Sequence, residues 1–140
     1  MTARSLSRQQ LLLLARAVVS RGGLLRCRVH GYSMRPVIAD GDEVVLGPLL
    51  AGEPQTGEVI LVGTSRGPKL HRVIERGHDA DGTWLRVRGD TQVGAGETVR
   101  LDAVYARVVS VHRPLVKTLT VYAAEYVRWI PRWLPGIVEG

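Results

Sequence analysis

Three short stretches carry residues able to do chemistry together: Ser33 in "HGYSMRPVIADGDEVVL", His71 in "KLHRVIE" and Asp90 in "VRGDTQ". A serine hydroxyl is a weak nucleophile until a neighbouring base takes its proton, and a histidine of ordinary pKa, ~6.5, is a suitable base at neutral pH. A carboxylate behind that histidine would hold its tautomer and stabilise the imidazolium. Each stretch also has a plainer reading. Ser33, close to Pro36 and the Asp40-Gly41-Asp42 corner, could be a turn serine bonded to its own backbone. His71 could be a satisfied strand histidine, and Asp90 a turn aspartate.

The remaining candidates are fewer and weaker. His30 and His112 fall at strand ends, and His78 lies in the polar loop "GHDADG", where a solvated histidine is expected. Lys69 lies two residues before His71 and so on the same face of a strand, which makes it a second candidate base. A lysine would first need heavy desolvation to lose its proton. Cys27 is the only cysteine and no Cys/His cluster has metal-ligand spacing, so neither a disulfide framework nor a zinc site is expected. Cys27 reads as a buried, inert thiol. The chemistry requires no cofactor.

The elements that must position these residues follow from hydrophobic period. Leu6 to Val19 reads as a helix, with Ser7 as its cap, Leu11, Leu14, Ala15 and Val18 on one face, and Arg21-Gly22-Gly23 ending it. From Leu24 the period changes to two, with Leu25, Cys27 and Val29 alternating with Arg26, Arg28 and His30. Further strands are expected at Glu43–Gly47, Glu58–Val62, Lys69–Glu75, Thr83–Arg88 and Val104–His112, with Gly- and Asp-rich turns between them. Many short strands joined by turns imply an antiparallel sheet or barrel. In the tail, Leu115, Leu119, Tyr122, Tyr126 and Trp129 share a helical face, and Pro131 ends or kinks it. The expected organisation is an N-terminal helix in 1–23, a core domain in 24–112 and a C-terminal amphipathic helix in 113–140.

Composition bounds the function class. A chain of 140 residues with 45% hydrophobic and 23% charged residues can bury a real core as one domain. Its formal charge of +6 is carried almost wholly by arginine, Lys69 and Lys117 being the only lysines. The arginines are scattered, not striped, which argues against a nucleic-acid module and leaves a weak attraction to anionic lipid or acidic polymer. The apolar run Leu11–Ala15 is broken by Arg16, well short of the ~18 residues a spanning helix needs. A cytoplasmic or peripheral membrane location is therefore expected. Tyr122, Tyr126, Trp129 and Trp133, with Arg128 and Arg132, suit either an interfacial helix through 115–134 or protein packing.

The stretch "GYSMRPVIADGDEVVL" resembles the nucleophile box of the S24/S26 serine peptidases: small residue, x, Ser-Met, x-Pro, apolar, Gly-Asp, then a strand. "KLHRVI" is similar to the base-bearing strand of the signal peptidase I group in its histidine form. "VRGDTQ" resembles the Gly-Asp box that follows, and "VYARVVSV" the closing strand. The resemblance covers about 24–111. It implies a coiled antiparallel β-barrel of the signal-peptidase/LexA-like kind with short N- and C-terminal helices. It also implies serine endopeptidase cleavage of an extended precursor or leader peptide after small residues. Ser33 would be the nucleophile and a backbone oxyanion donor, His71 the base and Asp90 the orienting acid. Glu97 is the fallback acid, with Asp102 behind it. The hydroxyl that many signal peptidases place two residues before the nucleophile is replaced here by Gly31. The alternative is a catalytically idle member of the same fold that binds extended peptides or a protein partner.

Overall fold

The structure, a computed structural model, describes residues 4–5, 7–49, 52–113 and 128–130. After a two-residue strand, β1 (Arg4–Ser5), the chain forms one helix, α1 (Arg8–Val19). Ser7 caps it: its hydroxyl accepts from the Gln10 N–H, and the Gln10 side chain accepts from the Ser7 N–H. This reciprocal box satisfies two of the donors that a helix start leaves open. Leu11, Ala15 and Val19 are buried, and Gly22, at φ +75°, lets the chain turn out of the helix at little steric cost.

The strands that follow are β2 (Leu25–Arg28), β3 (Glu43–Gly47), β4 (Val59–Thr64), β5 (Gly67–Asp79), β6 (Gly82–Arg88), β7 (Glu97–Arg100), β8 (Val104–His112) and β9 (Arg128–Ile130). They form one sheet in the order β1-β9-β2-β3-β8-β4-β5-β6-β7, every pair antiparallel. Register shifts in the β3–β8, β4–β8 and β5–β6 pairs mark bulges, which bend strands and add twist. The result is mainly β: a curled antiparallel half-barrel carrying a single helix among the described residues. Helix α1 packs against β5 and β8.

The core has two parts. Leu11, Ala15, Leu25, Cys27, Met34, Ile38, Val44, Leu46, Leu61 and Leu70 belong to the first, and Ile60, Val62, Val73, Leu85, Val87 and Val99 to the second. Successive residues of β4 feed opposite clusters, so this central strand is buried on both faces. Cys27 lies fully inside, where burial pushes its thiol pKa well up, as expected for an inert core residue.

Two expectations are corrected. Arg128–Ile130 form a strand paired with β2 and β1, not part of a helical face; the rest of the expected C-terminal helix lies outside the described residues. Glu97–Arg100, where no strand was expected, is a strand on the sheet edge. Among the described residues no helix is long and apolar enough to cross a membrane.

Candidate functional site

Ser33 sits on a turn that is tied down at many points. Gly31, at φ +121°, donates its N–H to Asp40 Oδ1 at 2.9 Å. That backbone conformation favours glycine, so the absence of a hydroxyl at position 31 has a conformational cause. Asp42 is nearly fully buried; Oδ2 accepts from the Ala39 N–H at 2.8 Å, and both carboxylate oxygens receive the Arg113 guanidinium. This pairing raises the Arg113 pKa. The Asp40-Gly41-Asp42 corner is thus a clamp on the serine turn. On its other side the Thr91 N–H donates to the Ser33 carbonyl at 2.9 Å, with the Thr91 hydroxyl donating to the same oxygen.

His71 lies on β5 at 6% exposure, and neither ring nitrogen has a hydrogen-bond partner among the described residues. Burial, then the charge of Lys69, lowers its pKa below 6.5; Glu97 and then Asp90 oppose the shift. The imidazole is therefore held neutral at pH 7, the form able to accept a proton. A buried side chain with two open polar atoms is costly as plain structure and calls for a specific role.

Asp90 does not meet His71 in a hydrogen bond. Its two oxygens accept from Arg72 Nε at 2.8 Å and Nη2 at 2.7 Å, and this pair raises the Arg72 pKa. Since Arg72 follows His71 in a strand, it points to the opposite face, and it draws Asp90 with it. Register brings Glu97 to the histidine's side instead. Val73 shares the His71 face and pairs with Val87, which pairs with Glu97. Glu97 accordingly lines the same cleft as His71. Asp102 is exposed on a single 3-10 turn, Leu101–Ala103; its carbonyl accepts from Arg16 and its charge acts on Arg100, and it does not line that cleft.

Ser33 and His71 approach through Gly89. A Cβ built on Gly89 would stand 2.8 Å from the Ser33 carbonyl oxygen and 3.0 Å from its Cβ. Arg72, the residue after His71, pairs with Arg88 at the end of β6, and Gly89 follows directly, so the serine turn packs against the end of the β5–β6 ladder. No Ser33–His71 hydrogen bond is formed, and no Ser-His-Asp chain is assembled. The contacts that Gly89 and Thr91 make with Ser33, and Arg72 with Asp90, were not read from the sequence; the glycine at a strand end was the one available sign of a close approach.

Two clefts meet at Lys69. One, of about 60 Å³, lies between the Ser33 turn and the start of β5, walled by Val29, Met34, Ile38 and Leu70. The other, of about 280 Å³, is lined by His71, Arg66, Gln92 and Glu97. Of the other histidines, His30 is buried near Asp40, His78 shares a 3.0 Å hydrogen bond with Thr83, and His112 one with Ser110. Among the described residues no group of three His, Cys, Asp or Glu could hold a metal ion. Comparisons with protein-family models, with curated proteins and with solved structures find no match to this chain.

Proposed function

We propose that this protein is a serine endopeptidase of the signal-peptidase kind, on a signal-peptidase/LexA-like fold, with Ser33 as nucleophile and His71 as base. The observation that carries the reading is a buried, neutral histidine with both nitrogens open, beside a clamped turn that presents a serine. Ser33 Oγ attacks the scissile carbonyl and its proton passes to His71. The tetrahedral oxyanion is met by the Ser33 backbone N–H, and collapse expels the amine with the proton returned by His71. Water then repeats the sequence on the acyl-enzyme. Glu97, on the histidine's face, is better sited than Asp90 to stabilise the imidazolium.

The substrate is read as an extended peptide. Gly67–Arg72 of β5 pair with Val59–Thr64 of β4, whereas β6 begins its pairing only at Arg72. The side of β5 toward the serine turn is thus an edge among the described residues, suited to strand addition. The small cleft beside it accepts only a small side chain, in keeping with cleavage after small residues.

Cleavage of a library of precursor peptides containing Ala-x-Ala tests this. Both Ser33→Ala and His71→Ala are expected to abolish it. Cleavage that survives Ser33→Ala would overturn the reading. If His71→Ala alone stays active, the base is elsewhere and Lys69 is next. A second reading, a peptide-binding module without catalysis, is favoured by the missing Ser33–His71 hydrogen bond. It predicts that wild type binds the library as tightly as Ser33→Ala and cleaves none of it.

A further inference from the structure

We propose that the larger cleft, beside His71, takes an acidic side chain of the bound peptide, with Arg66 as the residue that selects it. The inference rests on the extended-peptide reading above and adds a charge preference to it. Arg66 stands at the tip of the β4–β5 hairpin. Its main chain is held from both sides: its N–H donates to Thr64 Oγ1 at 3.2 Å, and its carbonyl accepts from Arg8 Nη1 at 2.8 Å. Its guanidinium makes no hydrogen bond or ion pair among the described residues, and Arg66 is one of the residues lining the cleft.

That is unlike several other arginines of the chain. Arg72, Arg76, Arg100 and Arg113 are committed to Asp90, Glu53, Asp79 and Asp42. A guanidinium offers a planar fork that fits a carboxylate through two parallel hydrogen bonds. The cleft's own carboxylate, Glu97, is on β7, whereas Arg66 stands between β4 and β5. Those positions lie on opposite sides of β5 in the sheet order, so an entering acid is drawn to one end and turned from the other. The cleft volume of about 280 Å³ admits a long side chain where the neighbouring cleft of about 60 Å³ does not. A chain of formal charge +6 also draws acidic peptides toward it before contact.

The test measures binding, so that it does not depend on turnover. Short fluorescent alanine-rich peptides carrying a single Asp, Gln or Lys at each position in turn are titrated onto Ser33→Ala protein. At one position Asp is expected to bind about tenfold more tightly than Lys. Adding Arg66→Glu, an exposed substitution that the fold tolerates, is expected to reverse that order. Equal binding of the Asp and Lys peptides, an order unchanged by Arg66→Glu, or no binding of any peptide overturns the inference. Cleavage of the same peptides by wild type reports separately on the peptidase reading. A charge preference in binding without cleavage removes that reading and keeps the acidic subsite; cleavage blind to charge does the reverse.

Discussion

At the scale of single residues, the proposed peptidase chemistry makes His71 the source of any pH dependence. Burial, with Lys69 adding to it, places its folded pKa below 6.5, and the unfolded chain keeps the ordinary value. Activity that needs the neutral imidazole therefore rises with pH along a limb below 6.5, lower than an unperturbed histidine would put it. Stability follows the same sign: between the folded and unfolded values the unfolded chain binds more protons, so stability falls as pH drops through that window. Glu97 opposes the shift more than Asp90 does, and the Asp90 carboxylate is paired with Arg72. A titration of the His71 ring by NMR should thus show a further drop in Glu97→Gln and a smaller one in Asp90→Asn; the opposite ranking would return the orienting role to Asp90. The serine and the histidine were legible as candidates from residue type and local pattern. The acid was not, because the choice between Asp90 and Glu97 depends on which strand face each occupies across a three-strand register that no local spacing reveals.

At the scale of elements, the decisive contact is between the serine turn and the end of β6. A methyl group on Gly89 would press on the Ser33 carbonyl and Cβ, neither of which is the free end of a flexible chain. The turn must move, and a displacement of about 1 Å at a reacting centre can cost ~10²-fold in rate. Gly89→Ala is therefore expected to stay folded, losing ~1–3 kcal/mol of stability by overpacking, while kcat/KM falls by about two orders of magnitude. Urea unfolding and peptide cleavage measured on the same preparation check this, and an activity loss no larger than the stability loss implies would remove the turn contact from the site. Regular elements were well read from period: Glu43–Gly47 and Val104–His112 are strands with the expected bounds, and Ser7 caps the helix. Strand β7 was hidden because Glu97, Thr98 and Arg100 leave only Val99 buried, which gives no alternation strong enough to stand out.

At the scale of the whole molecule, the helix and the site are mechanically one. Helix α1 buries Leu11, Ala15 and Val19 in the core cluster that also holds Met34 and Ile38 of the serine turn and Leu70 of β5. Its first turn reaches the β4–β5 hairpin through the Arg8 bond to Arg66. The other cluster, containing Leu85 and Val73, joins the first across β4, whose residues Ile60 and Leu61 face opposite ways. A core continuous through a doubly buried strand should melt as one unit, although the sequence divides readily into a helix and a β domain. Leu11→Ala and Leu85→Ala remove fully buried side chains, one from each cluster, and each is expected to cost ~2–5 kcal/mol. Far-UV dichroism, which follows helix and sheet, and tryptophan fluorescence, with Trp84 on β6, should report the same midpoint in both variants. Separate midpoints in Leu11→Ala alone would mean that α1 undocks by itself. In that case the helix could leave while the sheet persists, and the support it gives to the turn and hairpin would be a separable layer, not part of the fold's single transition.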